Sequence, residues 1–390
     1  MQDFVFHVPT KFIFGRNTEG QAGAEIRAFG GKTVLLHYGG GSIKKSGLYE
    51  RVVASLKEAG LSFVELAGVK PNPRLSLVRE GIDLCRRAQV DFILAVGGGS
   101  VIDSAKAIAM GVPYEGDVWD FFTTGKKPAR ALKLGVVLTI PAAGSESSAG
   151  CVITNEDGWY KLAGGGPATR SSFSILNPEL TYTLPAYQTA AGIVDMYAHI
   201  VERYFSNTQG TFVIDRMAEG VWKTLLWAGP KVLKEPENYD YRAEIMWAGT
   251  VAHNDTVGVG RESDWASHNI EHELSGIYDI THGAGLAVII PAWMRYVYKH
   301  DVPRFVRYAV NVYGVENDAN DPEKTALEGI ARTEQFFHSL GMPIRLSEMG
   351  IGEDRFMEMA NKAYRYPHGY VGNFVKLSVQ DVYNIYQLAR

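Results

Sequence analysis

Cysteine is scarce in this chain. Only Cys85 and Cys151 occur among 390 residues, and they form no C-x-x-C pair. Two thiols so placed build no disulfide framework. Both lie in apolar surroundings, so buried thiols in a reducing compartment are expected. Long apolar runs are missing too: no segment reaches the roughly eighteen uninterrupted apolar residues of a membrane-spanning helix. The first fifteen residues lack a basic stretch followed by an apolar one, so no targeting segment is read there and a cytoplasmic protein is expected. Nor is there an excess of one charge. The net charge is -4, which points to neither nucleic acid nor a membrane surface as partner. What remains is a soluble globular composition, 46% hydrophobic and 21% charged, in a chain too long for one ordinary core.

The first half alternates short apolar runs with amphipathic patterns. Strands are expected over 33–38, 61–66, 91–96 and 134–140, and helices over 47–59, 75–88 and 101–110. Such repetition implies a parallel sheet covered by helices. The rhythm changes near Asn177-Pro178 and Leu184-Pro185. Beyond that point the pattern is helical over 188–205, 213–228, 241–257, 265–274, 303–313, 323–340, 354–364 and 379–389. The second of these is expected to stop at Gly229-Pro230. The reading is an α/β domain, residues 1–185, with a parallel Rossmann-like sheet, followed by an α-helical domain, residues 186–390.

The chemistry-bearing residues gather in the helical half. Asp195 and His199 are four apart, as are His268 and His272, and Thr281-His282-Gly283 follows. On a helix that spacing stacks two side chains one turn apart on one face. An oxygen and an imidazole, or two imidazoles, then converge as metal ligands do. Four of the ten histidines fall in these segments. The competing reading is a set of core histidines satisfied by hydrogen bonds.

Two glycine-rich turns mark the α/β half. Gly97-Gly98-Gly99-Ser100 follows a strand and opens a helix, where backbone N–H groups and the helix N-terminus favour an anion such as a pyrophosphate. It is neither G-x-G-x-x-G nor a P-loop. Gly39-Gly40-Gly41-Ser42 closes an earlier strand, and two such turns suit two parts of a dinucleotide at the carboxyl edge of a sheet. The 39–45 turn contains no acid to pair with ribose hydroxyls. Ser42, Lys44 and Lys45 suit a 2′-phosphate instead, or are simply solvated.

This combination resembles the iron-type (iron-activated) alcohol dehydrogenases, in their butanol dehydrogenase and NADPH-dependent aldehyde reductase branch. The resemblance runs over nearly the whole chain. It rests on 9–15, on Gly68-Val69-Lys70-Pro71-Asn72-Pro73, on the run from Gly97 to Lys106, on 138–146, on Asn177-Pro178-Glu179-Leu180 and on both histidine segments. It implies one metal, Fe2+ or Zn2+, bound by Asp195, His199, His268 and His282 between the domains. His272 is then not a ligand but lies beside the nicotinamide. Asp103, Lys106 and Lys161 are implied to face the nicotinamide and ribose side, with Thr139 and Ser145 lining the dinucleotide. Where many relatives carry threonine, this chain has Ala143, losing a hydroxyl near the cofactor. A homodimer is also implied.

The expected chemistry is metal-assisted hydride transfer between NADP(H), or NAD(H), and a small primary alcohol or aldehyde such as butanol or butanal. His272 and Asp103 are the expected catalytic side chains, His272 as a proton relay or as a wall of the nicotinamide pocket. Trp119 or Trp265 would shape an apolar substrate pocket or belong to the core. The alternatives are a polyol dehydrogenase of the same fold, a dehydroquinate synthase-like lyase, a metal-dependent hydrolase and a non-catalytic nucleotide binder.

Overall fold

The structure, a computed structural model, describes residues 1–364 and 369–390. It divides into an α/β unit, His7–Leu184, and a helical unit, Pro185–Arg390 together with Met1–Phe6. The first six residues, expected in the α/β part, thus belong to the helical one. The Met1 amino group donates to Gln209 O at 2.6 Å, and Gln2 N donates to Gly260 O at 2.8 Å.

In the α/β unit β1 (Lys11–Phe14), β2 (Thr33–Tyr38), β3 (Ser62–Leu66), β4 (Phe92–Gly98) and β5 (Lys133–Ile140) join the late strand Phe173–Leu176. These six strands form a parallel sheet. The late strand pairs with β1 and β5, and β4 lies between β5 and β2. Val34, Leu36, Phe92, Leu94, Val96 and Val137 are buried, giving the near-continuous apolar strands of a sheet covered on both faces. Helices α1 (Ala22–Ala28), α2 (Leu48–Glu58), α3 (Leu75–Arg87) and α4 (Gly99–Gly111) accompany them. An unforeseen antiparallel hairpin joins β6 (Gly150–Asn155) to β7 (Tyr160–Gly165). With Phe173–Leu176 numbered β8, the strands are complete for the described residues.

The helical unit is built on α5 (Ala186–Tyr204), buried at every residue from Thr189 to Tyr204. Around it lie α6 (Phe212–Lys234), α7 (Tyr239–His253), α8 (Ala266–Tyr278) and α9 (His282–Val297), then α10 (Val302–Tyr313), α11 (Pro322–Ser339), α12 (Phe356–Tyr364) and α13 (Val379–Leu388). Two helices depart from expectation. α9 was not foreseen, and α6 runs on through Gly229-Pro230 to Lys234. Val232, beyond the proline, is fully buried, so packing of the apolar face outweighs the lost backbone hydrogen bond. No described helix is long and apolar enough to cross a membrane.

Candidate active site

Three helices deliver the metal-site residues. α5 carries Asp195 and His199 one turn apart, α8 carries His268 and His272 likewise, and His282 is the first residue of α9. Ligand atoms of Asp195, His268 and His282 lie within 4.8 Å of one another. The Nε2 atoms of His268 and His282 stand 3.7 and 3.9 Å from Asp195 Oδ1. Asp195 Oδ1 and His268 Nε2 are buried and make no hydrogen bond among the described residues. A buried carboxylate oxygen and a buried imidazole nitrogen that make no hydrogen bond are costly unless a cation joins them. The residues therefore fit a divalent metal.

His199 is placed differently from its three companions. Its Nδ1 faces its own helix, 2.8 Å from Asp195 O and 3.1 Å from Asp195 Oδ1. Its ring packs 4.0 Å from that of His253 and 4.6 Å from that of His268, centroid to centroid. Asp195, His268 and His282 thus converge as a cluster through their ligand atoms, and His199 packs beside them, its ring nearer to that of His268 than the His282 ring is, at 5.4 Å. His272 lies outside that cluster, its ring centroid 6.3 Å from that of His268 and 5.5 Å from that of His282. Together with Glu271 and His282 it forms a second group of donors. Trp265, at the N-cap of α8 with φ 65°, sets its ring 5.3 Å from His268 and 6.0 Å from His199.

Two carboxylates that the sequence reading passed over stand behind the imidazoles. Glu202, one turn beyond His199, accepts from His268 Nδ1 at 2.8 Å and from the His268 backbone N–H at 2.9 Å. Glu271 accepts from His282 Nδ1 and from the Ser275 hydroxyl. The acids set the local electrostatics. Burial works to raise the Asp195 carboxyl, but the imidazoles of His199, His268 and His282 hold it well below the usual range. Burial works against a charged His268, yet Asp195 and Glu202 raise its imidazole to about 9. Both shifts describe a pocket that favours positive charge at its centre.

In the α/β unit the glycine turns fall where strands hand over to helices. β4 includes Gly97 and Gly98, and α4 begins at Gly99 with no side-chain cap, leaving first-turn N–H groups for a ligand. The β4–β5 register slips between Gly97 and Gly98, passing over Thr139 at the strand end. Packing is close here: a Cβ on Gly98 would clash with the Ile140 Cβ at 2.8 Å, and one on Gly99 would press on the Ala143 Cβ at 3.2 Å. Gly40, Gly41, Ser42, Lys44 and Lys45 are exposed and Gly39 is half-buried; Cβ atoms on Gly40 or Gly41 would meet open space.

Several expected cofactor residues are occupied within the unit. The Asp103 carboxylate accepts from the Ser145 hydroxyl at 2.5 Å and from Val152 N at 2.8 Å. Burial raises its pKa against the pull of Lys106 and Lys161. Lys106 is fully buried, and its ammonium donates to Ser148 O at 2.7 Å, Gly150 O at 2.9 Å and Ser148 Oγ at 3.2 Å. Three donors meet three acceptors, so Lys106 braces the 148–150 segment instead of offering its charge to a ligand. Lys161, on β7, is buried. Ser100 and Thr139 are half-buried at the ends of their elements.

Comparison with known proteins shows which family the chain belongs to. Residues 9–178 match the model of the iron-containing alcohol dehydrogenases, and residues 189–390 match that of the C-terminal part of the same family. The chain is 46% identical to a probable NADH-dependent butanol dehydrogenase 2 of Bacillus subtilis (strain 168), covering 98% of each chain. It is 38% identical to the NADPH-dependent aldehyde reductase YqhD of Escherichia coli (strain K12), covering 100% of each. Among solved structures it superimposes on NADH-dependent butanol dehydrogenase A of Thermotoga maritima with a TM-score of 0.96. That pair is 41% identical, over 100% of this chain and 99% of the other. The protein belongs to the iron-containing alcohol dehydrogenase family.

Proposed function

We propose that the protein is a metal-dependent alcohol dehydrogenase and aldehyde reductase. It moves a hydride between NADP(H) and a small primary alcohol or aldehyde, with butanol and butanal as the type. The observation that carries this reading is the meeting of Asp195 Oδ1 and His268 Nε2, both buried and making no hydrogen bond among the described residues, with His282 Nε2, in a chain of this family. Asp195, His268 and His282, with His199 as fourth donor, would hold one Fe2+ or Zn2+. A divalent ion there supplies Lewis acidity to a substrate oxygen.

The chain's own residues do the rest. The N–H groups opening α4 at Gly97-Gly98-Gly99-Ser100 bind the pyrophosphate, and Gly39-Gly40-Gly41-Ser42 takes the adenosine end. Thr139, Ser145 and Lys161 line the dinucleotide. Asp103 holds Ser145 in place, and Lys106 braces the segment beyond it. His272 passes the proton that accompanies hydride transfer. The preference for NADP(H) over NAD(H) rests on the absence of an acid from 39–45. Glu65, at the end of β3, is taken up by the hydroxyls of Tyr38 and Tyr49, each at 2.7 Å, and Lys44 Nζ lies 4.8 Å from the Tyr49 ring centroid. Ser42 and Lys45 are then the groups expected at a 2′-phosphate. Two further proposals concern the molecule as a whole. Phe4, Val5 and Phe6, 50%, 94% and 48% exposed, support a homodimer, checked by sedimentation, and free buried Cys85 and Cys151 support a cytoplasmic location.

The deciding experiment follows NADPH absorbance with butanal and with a panel of diols, on protein loaded with Fe2+ or Zn2+. Turnover of butanal that requires metal is expected; preferred turnover of diols would assign a polyol dehydrogenase, and no oxidation of NADPH would refute the reading. Gly40→Asp, placed in open space at the turn, is expected to move the ratio of kcat/KM values towards NADH through repulsion of a 2′-phosphate. An unchanged ratio would separate this turn from cofactor choice.

A further inference from the structure

We propose that Glu271 is a positioning residue that fixes the ring of His282, so that Nε2 is the atom this histidine presents beside Asp195 and His268. The inference rests on the metal reading above and adds a part to it. Glu271 is fully buried on α8, where a carboxylate is costly unless its oxygens are satisfied. Both are: Oε1 accepts from the hydroxyl of Ser275, one turn further along α8, and Oε2 accepts from His282 Nδ1. The side chain is thereby clamped at both oxygens, and its second clamp is the imidazole that opens α9.

An imidazole whose Nδ1–H donates to a carboxylate carries its lone pair on Nε2, and its ring can no longer swing freely. The Nε2 of His282 is the atom that stands 3.9 Å from Asp195 Oδ1. His268 follows the same plan from another direction, with Nδ1 on Glu202 and an Nε2 that makes no hydrogen bond among the described residues. Two histidines from two helices are therefore oriented alike by two buried acids.

α9 is shaped around this carboxylate. A Cβ on Gly285, one turn into α9 from His282, would lie 2.6 Å from Glu271 Oε1, 2.8 Å from its Cγ and 3.1 Å from its Cδ. The space that any other residue would fill at position 285 is the space the Glu271 carboxylate uses. A direct metal ligand is the rival role, since Glu271 also groups with His272 and His282. Oxygens already accepting from Ser275 and His282 favour positioning.

The test titrates Co2+ into metal-free full-length protein and records both the dissociation constant and the visible absorption of the bound ion. Near-ultraviolet circular dichroism checks the fold. Glu271→Leu is expected to weaken Co2+ binding by roughly 10- to 100-fold, the usual cost of losing the group behind a ligating histidine, and to change the spectrum. Glu271→Gln is expected to restore most of the affinity, because an amide oxygen still accepts from Nδ1 and the amide nitrogen faces Ser275. Wild-type binding by Glu271→Leu would overturn the proposal. So would equal losses in the Gln and Leu variants, which would mark the charge itself as a ligand. If Glu271→Leu does not fold, Ser275→Ala and Gly285→Ala carry the test: each should lower affinity with the fold intact, and wild-type affinity in both would overturn it. Wild-type protein that takes up no Co2+ would instead refute the metal reading itself.

Discussion

Mild acid should destabilise the α/β unit through one residue, His37. It is fully buried in β2, with Nδ1 2.9 Å from Leu66 O and Nε2 2.9 Å from Ser104 Oγ. Donation from Nδ1 to the carbonyl and acceptance at Nε2 from the hydroxyl satisfy a neutral ring completely. Burial pushes the imidazole down from 6.5 to about 4, only partly opposed by the Leu66 carbonyl. Below pH 6.5 the unfolded chain takes up a proton that the folded chain refuses, so stability falls with pH until the folded ring also titrates near 4. At about 1.36 kcal/mol per unit, the whole shift costs about 3 kcal/mol, and the part between pH 7 and pH 5 about 2 kcal/mol. The assay is hydrogen–deuterium exchange of the β2 amides in urea at the two pH values, for the wild type and for His37→Gln. The variant is expected to be less stable at neutral pH but to lack this part of the pH dependence. Equal slopes in the two proteins would refute the argument. The strand at risk is the one that leads into the Gly39–Ser42 turn, so the residue protects the proposed cofactor site as well as the fold.

Two further predictions concern the metal site. His268→Ala should abolish turnover and release the ion while leaving NADP(H) binding largely intact, measured by elemental analysis and by cofactor fluorescence; full activity without bound metal would refute the ligand set. His272→Ala should retain the metal and slow kcat by roughly 10²-fold if the residue relays a proton. A raised KM for cofactor with unchanged kcat would leave it a wall of the pocket.

How far each feature could be read from the sequence depends on how local its cause is. β2 and β4 announce themselves as apolar runs closed by glycines, and the i, i+4 spacings place Asp195, His199, His268 and His272 on their helices. Spacing alone did not tell which nitrogen each ring would turn to its neighbours: His199 sets its Nδ1 on the Asp195 carbonyl while its ring packs against those of His253 and His268. α9 went unread because it is buried all round from Gly283 to Met294 and contains Pro291, so it has no polar face to create a period. The β6–β7 hairpin did leave a signal, Asp157-Gly158 between two short runs, with Gly158 at φ 81°. Glu202 and Glu271 left none. A glutamate in a helix ordinarily faces water, and only the tertiary fold sets these two behind imidazoles.

The passage of α6 through Gly229-Pro230 shows how a strong local stop signal is overruled. Proline removes the hydrogen bond to the Leu226 carbonyl and crowds the residue before it out of the helical region, chiefly through that residue's Cβ. Gly229 has no Cβ, so the pair taken together is a better helix than the proline alone suggests. The apolar face then continues through Leu225, Ala228, Gly229 and Val232, all buried, and Lys231 covers the Trp227 ring at 4.4 Å. Space is not the reason for the glycine: a Cβ there would meet Ile193, Leu340 and Phe336 at 3.4, 3.5 and 3.6 Å, ordinary contacts. The effect of Gly229→Ala should therefore depend on residue 230. In a Pro230→Ala background alanine should stabilise the helix by roughly 0.5–1 kcal/mol, the usual gain over glycine. With Pro230 present the clash should cancel that gain or reverse it. A double-mutant cycle by urea unfolding measures the coupling, and additive effects would show that Gly229 is there for some reason other than its neighbour.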